Sequence, residues 1–411
     1  MHELIRANRF KSVGLLGLLA LVLVALGYFI GGAFGIGGHP GIAIAAVIWI
    51  VMCLVSYFAG DSILLTMSRA HRIEKKDHPQ LFNVVEEMSI ASGMPMPKVY
   101  IIDDQGMNAF ATGRKPETAS VAITSGLLAK LNRDELQGVI AHEMGHVRNR
   151  DILFMTIAGV TVGAVVLIAD AYLRHMFWFG GGSRRHGRSR GGDGGGAQAL
   201  LMIIALVLAI LAPILAQLLY LACSRRREYL ADASAAEMTR YPEGLAAALQ
   251  KISGPRGRVE GANRATAPMY IVNPLAAKGS SGSLWSTHPP TDQRINILRS
   301  MVHGASVKDY HDAWQAVTGT SAVPVSARAD AKPVAIRDAE KDKKNPRERA
   351  RQAVDIIRRL EGFALLTCAC GLKLKIPPGF KRDHITCPNC KQVIALAAAA
   401  GAVTSGTGLS S

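Results

Sequence analysis

The sequence of 411 residues carries little charge, since Asp, Glu, Lys and Arg make up 19% of it while hydrophobic residues make up 49%. The mean hydropathy is +0.20. This balance excludes a disordered or collagen-like chain and indicates membrane-spanning segments. Six cysteines are too few for a disulfide-dense secreted domain. The length exceeds that of one compact soluble core, so the sequence predicts more than one unit.

Two apolar runs near the beginning, 12–35 and 41–59, are each long enough to span the hydrocarbon core of a bilayer. The link between them carries no Asp, Glu, Lys or Arg, whereas basic residues precede the first run. By the positive-inside rule, both outer ends then face the cytoplasm. A cleaved signal peptide is the alternative. The second run follows at once, however, which favours an uncleaved two-span anchor over residues 1–60.

Two further apolar runs, 152–169 and 199–223, flank a Gly- and Arg-rich loop at 172–196. If both runs cross the bilayer, this basic loop lies outside, against the charge rule. A shallow re-entrant hairpin is therefore the alternative to full crossing. In both cases the flanking residues, Asp151 and Ser224, face the same side of the membrane.

The strongest chemical signal is the sequence His-Glu-Met-Gly-His at 142–146. Histidines four residues apart lie on one face of a helix, so both imidazoles can bind one zinc ion, and Glu143 can activate a bound water. Asn132 as N-cap, with Glu135 three residues later, predicts that this segment is helical. The alternative interpretation is a pair of surface histidines on a helix near the membrane.

A catalytic zinc site needs a third protein ligand and an open position for water. Glu228 and Asp232 are also four residues apart and directly follow the fourth apolar run, so the membrane hairpin returns them to the side of the two histidines. This predicts zinc bound by His142, His146 and Glu228. Asp232 would then orient one of the histidines. Alternatively, the two acids only pair with the neighbouring arginines.

Three motifs together, HEMGH, SRRREYLAD at 224–232 and THPP at 287–290, resemble the HtpX-type membrane zinc metalloproteases, which are relatives of the CAAX prenyl endopeptidases. The resemblance covers roughly residues 1–300. It implies a mainly α-helical integral membrane protein with a gluzincin-like metallopeptidase domain and a small β-sheet at the cleft. It also implies a role in the quality control of membrane proteins under stress.

For the site, the resemblance implies the same three zinc ligands, with Glu143 as general base and His288 as a donor to the oxyanion of the tetrahedral intermediate. Arg294 is expected to support that donor. The segment that holds Asn108 and Ala109 resembles the family segment beside the cleft edge strand, so these two are the predicted substrate-binding residues. Without the resemblance, His288 would be interpreted as a turn histidine, and Asn108 and Ala109 as an ordinary turn and strand.

Four cysteines near the end of the chain form two close pairs: Cys368, Cys370, Cys387 and Cys390. This pattern predicts a zinc ribbon with a closed, structural zinc. The first pair is spaced C-x-C, one residue short of the usual spacing, so His384 is a reserve ligand. A redox-active thiol cluster is the alternative. The ribbon is not part of the HtpX-type pattern, and we expect it to recruit substrates or a protein partner.

The soluble part contains a helix-compatible stretch at 71–92, strand candidates at 98–102 and 119–124, and a short basic helix at 347–361. The predicted domains are the anchor at 1–60, the metallopeptidase domain at 61–312, a flexible linker at 313–345, a basic helix with a small C-terminal zinc ribbon at 346–396, and a disordered tail at 397–411.

The sequence therefore predicts a zinc endopeptidase of the bacterial inner membrane, with its active site facing the cytoplasm and with misfolded membrane or cytoplasm-exposed polypeptides as substrates. A catalytically inactive membrane scaffold, or a binding protein that acts through the ribbon, is the alternative. The formal net charge of +16 is typical of loops that face anionic lipid. Nucleic acid is not an expected partner.

Overall fold

The computed structural model describes residues 2–179, 194–254, 289–319, 332–339, 345–380 and 382–395. The chain divides into two compact units, one of residues 1–127 with 131–342 and one of residues 128–130 with 343–411. Within the described residues the helices are α1 (His2–Ala33), α2 (Gly38–Met67), α3 (Pro79–Ser92), α4 (Ser125–Lys130), α5 (Arg133–Arg148), α6 (Asp151–Phe179), α7 (Gly194–Thr239), α8 (Pro242–Ile252), α9 (Thr291–Arg299), α10 (Val307–Thr318) and α11 (Pro346–Leu360). The strands are β1 (Ala70–Arg72), β2 (Lys98–Ile102), β3 (Ala109–Thr112), β4 (Ser120–Thr124), β5 (Ala364–Thr367), β6 (Lys373–Ile376), β7 (His384–Thr386) and β8 (Val393–Ala395).

Among the described residues, four helices of the first unit are long and apolar enough to cross a membrane, over Val13–Ala33, Gly38–Met67, Asp151–Met176 and Ala199–Leu221. The shortest span has 21 residues, and at 1.5 Å per residue it measures about 31 Å, close to the thickness of a hydrocarbon core. The helices share a core that includes Leu26, Ala164 and Ala209. Large apolar side chains such as Leu21 and Ile203 are exposed on the outside, as expected of a surface that contacts lipid.

Small residues hold the first two helices close together. A Cβ added to Gly41 would lie 2.2 Å from the carbonyl oxygen of Gly27 and 2.8 Å from the Cα of Gly31. Such residues allow membrane helices to approach at backbone distance. The pair is tied to α6 by a hydrogen bond, because Trp49 Nε1 donates to Thr161 Oγ1 at 2.9 Å.

The membrane helices extend beyond the predicted apolar runs. Helix α2 continues to Met67, seven residues past the predicted end of the anchor. Helix α7 is a single helix of 46 residues that passes through Pro213 and continues to Thr239. Hydropathy falls at the end of the fourth run, but the Arg, Glu, Leu and Ala residues that follow are good helix formers, so the helix continues. The spans of α6 and α7 are long enough for full crossing, which stays a prediction.

The first unit contains a four-stranded sheet in the order β1-β2-β4-β3, in which β2 and β4 are parallel and the other pairs are antiparallel. The sequence predicted β2 and β4. Strand β1 lies at the start of the stretch predicted to be helical, and α3 begins only at Pro79, where the His78 side chain accepts the N–H of Leu81 at 2.9 Å. Strand β3 forms one edge of the sheet and packs against α5.

Part of the predicted linker, 313–345, belongs to the first unit. Helix α10 runs to Thr318 and is started by a capping box. Residues 332–339 are held on the unit by hydrogen bonds, and Arg337 Nη2 lies 2.6 Å from Asp134 Oδ1 on α5. Sequence composition indicated disorder here, but it does not report an ion pair with a distant helix.

Over the described residues 345–380 and 382–395, the second unit contains α11 and two antiparallel hairpins, β5–β6 and β7–β8. The predicted basic helix at 347–361 corresponds to α11. Apolar residues of this helix, Ala353 and Ile356, are buried. The predicted disordered tail at 397–411 lies outside the described residues.

Candidate metal centre

The N-terminal cap of α5 sets the start of the helix that carries the histidines. The Asn132 side chain accepts the N–H of Glu135 at 2.8 Å, and Glu135 Oε2 accepts the N–H of Asn132 at 2.8 Å. This is the predicted capping box. The helix then places His142 and His146 on one face, with ring centroids 4.8 Å apart. The local sequence is therefore sufficient to pair the two imidazoles.

The structure brings the third predicted ligand, Glu228 of α7, to the two histidines. Glu228 Oε2 lies 3.7 Å from His142 Nε2, and Oε1 lies 3.4 Å from His146 Nε2. One donor atom from each of the three residues lies within 4.8 Å of the other two. The carboxylate lies on the part of α7 that continues beyond the fourth candidate span, which ends at Leu221.

The second predicted acid, Asp232, lies one helical turn after Glu228 and orients His142. Its Oδ1 is 2.9 Å from His142 Nδ1, so Nε2 is the nitrogen that faces Glu228. Arg294 holds Asp232 with two bonds, from Nε to Oδ2 at 2.8 Å and from Nη2 to Oδ1 at 2.7 Å. The Arg294 side chain is fully buried, and its Nη1 is also 3.2 Å from Glu228 Oε2. Arg294 therefore supports the metal centre through these two acids, and its expected support of the oxyanion donor His288 stays a prediction, because His288 lies outside the described residues.

His146 has its own orienting carboxylate, which sequence reasoning missed. Asp151, the first residue of α6, places Oδ2 3.2 Å from His146 Nδ1. Its Oδ1 pairs with Arg227 of α7. The Arg227 guanidinium carbon lies 3.8 Å from the centroid of the Phe154 ring. The available signal was the position of Asp151, five residues after a predicted ligand and directly before an apolar run.

Burial and charge give the two histidines different protonation preferences. Burial lowers the pKa of His142, which favours the neutral imidazole that a metal ligand must be. Burial also opposes protonation of His146, but the carboxylates of Asp151 and Glu228 outweigh it and raise the pKa of His146 to about 10. Asp232 stays ionised, since Arg294 outweighs burial and lowers its pKa. The carboxylates around the two histidines therefore favour a positive charge at the metal centre.

Glu143 lies between the metal centre and the sheet. It is 2% exposed, and burial raises its pKa to about 8, while the backbone N–H of Ala111 in β3 donates to its carboxylate. A carboxyl group with a raised pKa can both accept and return a proton near neutral pH. Its position next to an edge strand allows it to act on a chain that lies along that strand.

The donor set fits zinc. Two imidazole Nε2 atoms and one carboxylate form the set of three protein ligands that is common in catalytic zinc sites. Each imidazole uses Nδ1 to contact a carboxylate, Asp232 or Asp151, and such carboxylates fix the ring orientation and raise ligand basicity.

The other predicted site residues have different outcomes. Asn108 is buried, with its N–H donating to Thr124 Oγ1 at 2.9 Å and its Oδ1 accepting the N–H of Ala109 at 3.1 Å. Ala109 pairs with Ile123 in the sheet and is also buried. Their role in substrate binding stays a prediction. His288 lies outside the described residues.

The four C-terminal cysteines come together in the second unit. Cys368 Sγ lies 3.4 Å from Cys390 Sγ, and Cys370 Sγ lies 3.6 Å from Cys387 Sγ. Tetrahedral zinc with bonds of about 2.3 Å places thiolates about 3.8 Å apart, so the spacing fits this metal. The shorter first pair supplies both of its sulfurs, and the cluster found in the described residues does not include His384.

A helical membrane bundle joined to a His-His-Glu centre defines a membrane-bound metallopeptidase. The sequence model of Peptidase family M48 matches residues 75–302, more than half of the chain. The chain belongs to peptidase family M48. The comparisons confirm the resemblance to HtpX-type proteases and the predicted activity. This chain is a membrane zinc metalloprotease that hydrolyses peptide bonds.

Two relatives illustrate the match. The chain is 45% identical to the Protease HtpX homolog of Dictyoglomus thermophilum over 303 residues, which cover 73% of this chain and 94% of the relative. It is 43% identical to the Protease HtpX homolog of Listeria monocytogenes serotype 4a over 308 residues, which cover 73% of this chain and 100% of the relative. The crystal structure of S. mikatae Ste24p matches at a TM-score of 0.43 and 20% identity, covering 72% of this chain and 67% of that chain.

Proposed function

We propose that the chain cleaves polypeptides at the cytoplasmic face of a bacterial inner membrane, with one catalytic zinc bound by His142, His146 and Glu228 and with Glu143 as general base. The observation that carries this proposal is the convergence of the three donors. Both Nε2 atoms face the same carboxylate, and a buried acid orients each ring.

The chain's own groups account for most of the proposed reaction. When bound, zinc supplies Lewis acidity and lowers the pKa of a bound water. Glu143 accepts the proton of the attacking water and returns it to the leaving amine. The Ala111 N–H fixes the Glu143 carboxylate beside β3. Asn108 directly precedes this strand and Ala109 begins it. An extended peptide that pairs with the strand would lie next to Glu143. His288 is proposed to donate to the oxyanion.

The position of the centre relative to the membrane supports membrane proteins as substrates, and hence a role in their quality control under stress. Glu228 lies seven residues after the last residue of its span, Leu221, which is about 10 Å along a helix. His146 lies five residues before Asp151, where the span of α6 begins. The centre is therefore close to the membrane surface, where unfolded segments of membrane proteins emerge. The basic residues before α1 support a cytoplasmic orientation.

The test of the catalytic base is Glu143→Gln in the reconstituted full chain, with an unfolded membrane protein as substrate. Loss of general base catalysis lowers the cleavage rate by about 10²–10⁴-fold, while the zinc content stays unchanged because the three donors remain. The matched control is Glu86→Gln, which removes an exposed carboxylate paired with Lys75. Undiminished cleavage by Glu143→Gln would refute the assignment.

The second proposal for the chain is a structural zinc in the ribbon. It is supported by the four converging sulfurs and by the Cys370 thiol, whose pKa is lowered to about 6 by the Leu372 N–H and the Asn389 side chain. Replacing Cys387 and Cys390 with Ser should reduce the bound metal from two ions to one. Cys53→Ser is the control and should leave two.

The role proposed for the ribbon is recruitment of substrates or of a protein partner. A chain that ends after residue 342 tests this role: undiminished cleavage of an unfolded membrane protein would remove it, and slower cleavage with zinc still bound at the metal centre supports it.

A further inference from the structure

A shallow basic groove lies where the loop after β3 meets the turn between α5 and α6. Its lining includes three cations, Arg114, Lys115 and Arg150, and two apolar side chains, Ile152 and Leu153. Lys115 and Arg150 are exposed. The groove therefore combines positive charge with an apolar floor, and it is separate from the metal ligands.

The groove lies at the level where two membrane helices leave the apolar layer. Ile152 and Leu153 are the second and third residues of the span that begins at Asp151. Arg114 lies over two aromatic rings of α2, with its guanidinium carbon 4.8 Å from the centroid of Tyr57 and 5.5 Å from that of Phe58. Gly38, where the span of α2 begins, is nineteen residues before Tyr57, which corresponds to about 30 Å of helix, one hydrocarbon thickness. Aromatic side chains are enriched at this boundary.

The positive charge of the groove is not neutralised within the part of the chain that the structure describes. None of Arg114, Lys115 and Arg150 has an ion-pair partner there, whereas nearby Arg148 pairs with Glu237 at 3.4 Å. The Nε atom of Arg114 is buried and has no hydrogen-bond acceptor among the described residues. A buried donor without an acceptor is unfavourable, so an anionic oxygen at this point would be stabilised.

We propose that this groove binds the phosphate of an anionic phospholipid headgroup, with the acyl chains beside Ile152 and Leu153. Three cations around one site match a phosphate, because Arg and Lys are the usual ligands of this group. The apolar floor and the position at the bilayer boundary favour a lipid over an acidic peptide, since every bilayer with anionic lipid presents phosphate at this depth. The lipid site rests on the membrane spans alone, whereas the effect on cleavage described next also rests on the proposed function.

The bound lipid would also influence the cleft. Arg114 comes two residues after Thr112, the last residue of β3, and the Ala111 N–H of that strand donates to Glu143. A headgroup that holds Arg114 therefore fixes the end of the strand beside the proposed base. Anionic lipid should raise the rate of peptide cleavage.

The test uses the full, zinc-loaded chain in vesicles of phosphatidylcholine alone or mixed with phosphatidylglycerol. Native mass spectrometry measures the phosphatidylglycerol retained after extraction, and peptide cleavage is measured in both kinds of vesicle. The variant combines Arg114→Gln, Lys115→Gln and Arg150→Gln. Its matched control removes three exposed cations that are paired elsewhere in the same unit, Lys75→Gln, Lys76→Gln and Arg299→Gln.

The expected result is retention of phosphatidylglycerol by the wild type and the control, and retention weaker on the order of a hundredfold in the variant, because each of the three basic residues near a membrane surface contributes about fivefold. The variant should also lose the stimulation of cleavage by phosphatidylglycerol. If the variant fails to fold, Lys115→Glu, a charge reversal at an exposed position, should give the same direction of change.

Three outcomes would overturn the proposal. Equal retention of phosphatidylglycerol by the variant and the control would show that the groove does not bind the lipid. Cleavage that falls equally in vesicles without phosphatidylglycerol shows that the groove contacts the peptide substrate instead. Competition by inorganic phosphate that abolishes lipid retention at equal concentration indicates a site for free phosphate.

Discussion

Replacing Asp151 with Asn tests whether a carboxylate at the start of a membrane helix sets the metal affinity of His146. Asp151 Oδ2 lies 3.2 Å from His146 Nδ1, and Oδ1 pairs with Arg227. Asn keeps the shape of the side chain and removes its negative charge. The substitution therefore alters two contacts with almost no change in volume.

Two effects of different size are expected. Loss of a carboxylate that orients a metal-binding histidine lowers metal affinity about 10–100-fold, which corresponds to about 1.4–2.7 kcal/mol. Breaking a buried ion pair lowers the free energy of unfolding by about 3–5 kcal/mol. The value for a buried ion pair applies here because Asp151 and Arg227 are only 1% and 3% exposed.

A second substitution separates these effects. Adding Arg227→Met to Asp151→Asn removes the buried positive charge, and the thioether can pack on Phe154, where the guanidinium now lies. Replacing a buried ion pair with well-packed groups of similar volume is often neutral. The double variant should therefore regain most of the free energy of unfolding but should still bind zinc weakly.

The assay measures the free zinc concentration at half-maximal peptidase activity in chelator-buffered solutions, together with unfolding in detergent. Glu86→Gln is the control, since it removes an exposed carboxylate outside the membrane spans that pairs with Lys75 at 3.0 Å. Exposed pairs contribute about 0–1 kcal/mol, so both quantities should stay close to the wild type. If Asp151→Asn is destabilised but needs no more zinc than the wild type, Asp151 is only structural and the orientation argument is wrong.

Two further predictions concern the helices that carry the centre. Gly41→Leu should destabilise the membrane bundle by about 1–3 kcal/mol or more, because its Cβ would overlap the backbone of the facing helix. The control Gly17→Leu, whose Cβ would meet nothing within 4 Å, should leave the thermal midpoint unchanged. Equal effects of the two substitutions would contradict the packing argument. Asn132→Ala should lower the free energy of unfolding by about 1 kcal/mol through loss of the α5 cap, with zinc content intact; an unchanged denaturation midpoint would show that the capping box is not needed.

The parts of the site that lie on one helix were predictable because spacing along a helix fixes geometry. The capping box at Asn132 starts α5, and the interval of four residues places His142 and His146 on one face. The approach of Glu228 was also predictable, since a membrane hairpin must return the chain to the side from which it left. Its role as a ligand stays a prediction that the proposed experiments test.

Other features depend on contacts between distant segments, which local patterns do not report. The pair of Asp151 and Arg227 joins the first residue of α6 to the last third of α7, and the local sequence of neither segment indicates this contact. The ion pair of Arg337 with Asp134 holds part of a predicted linker for the same reason. The continuation of α7 was missed because hydropathy reports contact with lipid, whereas helix formation depends on backbone propensity.

The continuity of α7 changes the meaning of the second membrane hairpin. One helix contains Ala205 and Ala209, which are buried in the bundle core, and also Glu228 and Asp232, which belong to the metal centre. Its partner α6 begins with Asp151, which orients His146. Zinc sites require ligand distances within about 0.2 Å of their usual values, so the centre tolerates only small shifts of these helices against α5. The packing of the membrane bundle is therefore part of what determines the ligand geometry, and the hairpin positions the metal site as well as anchoring the protein.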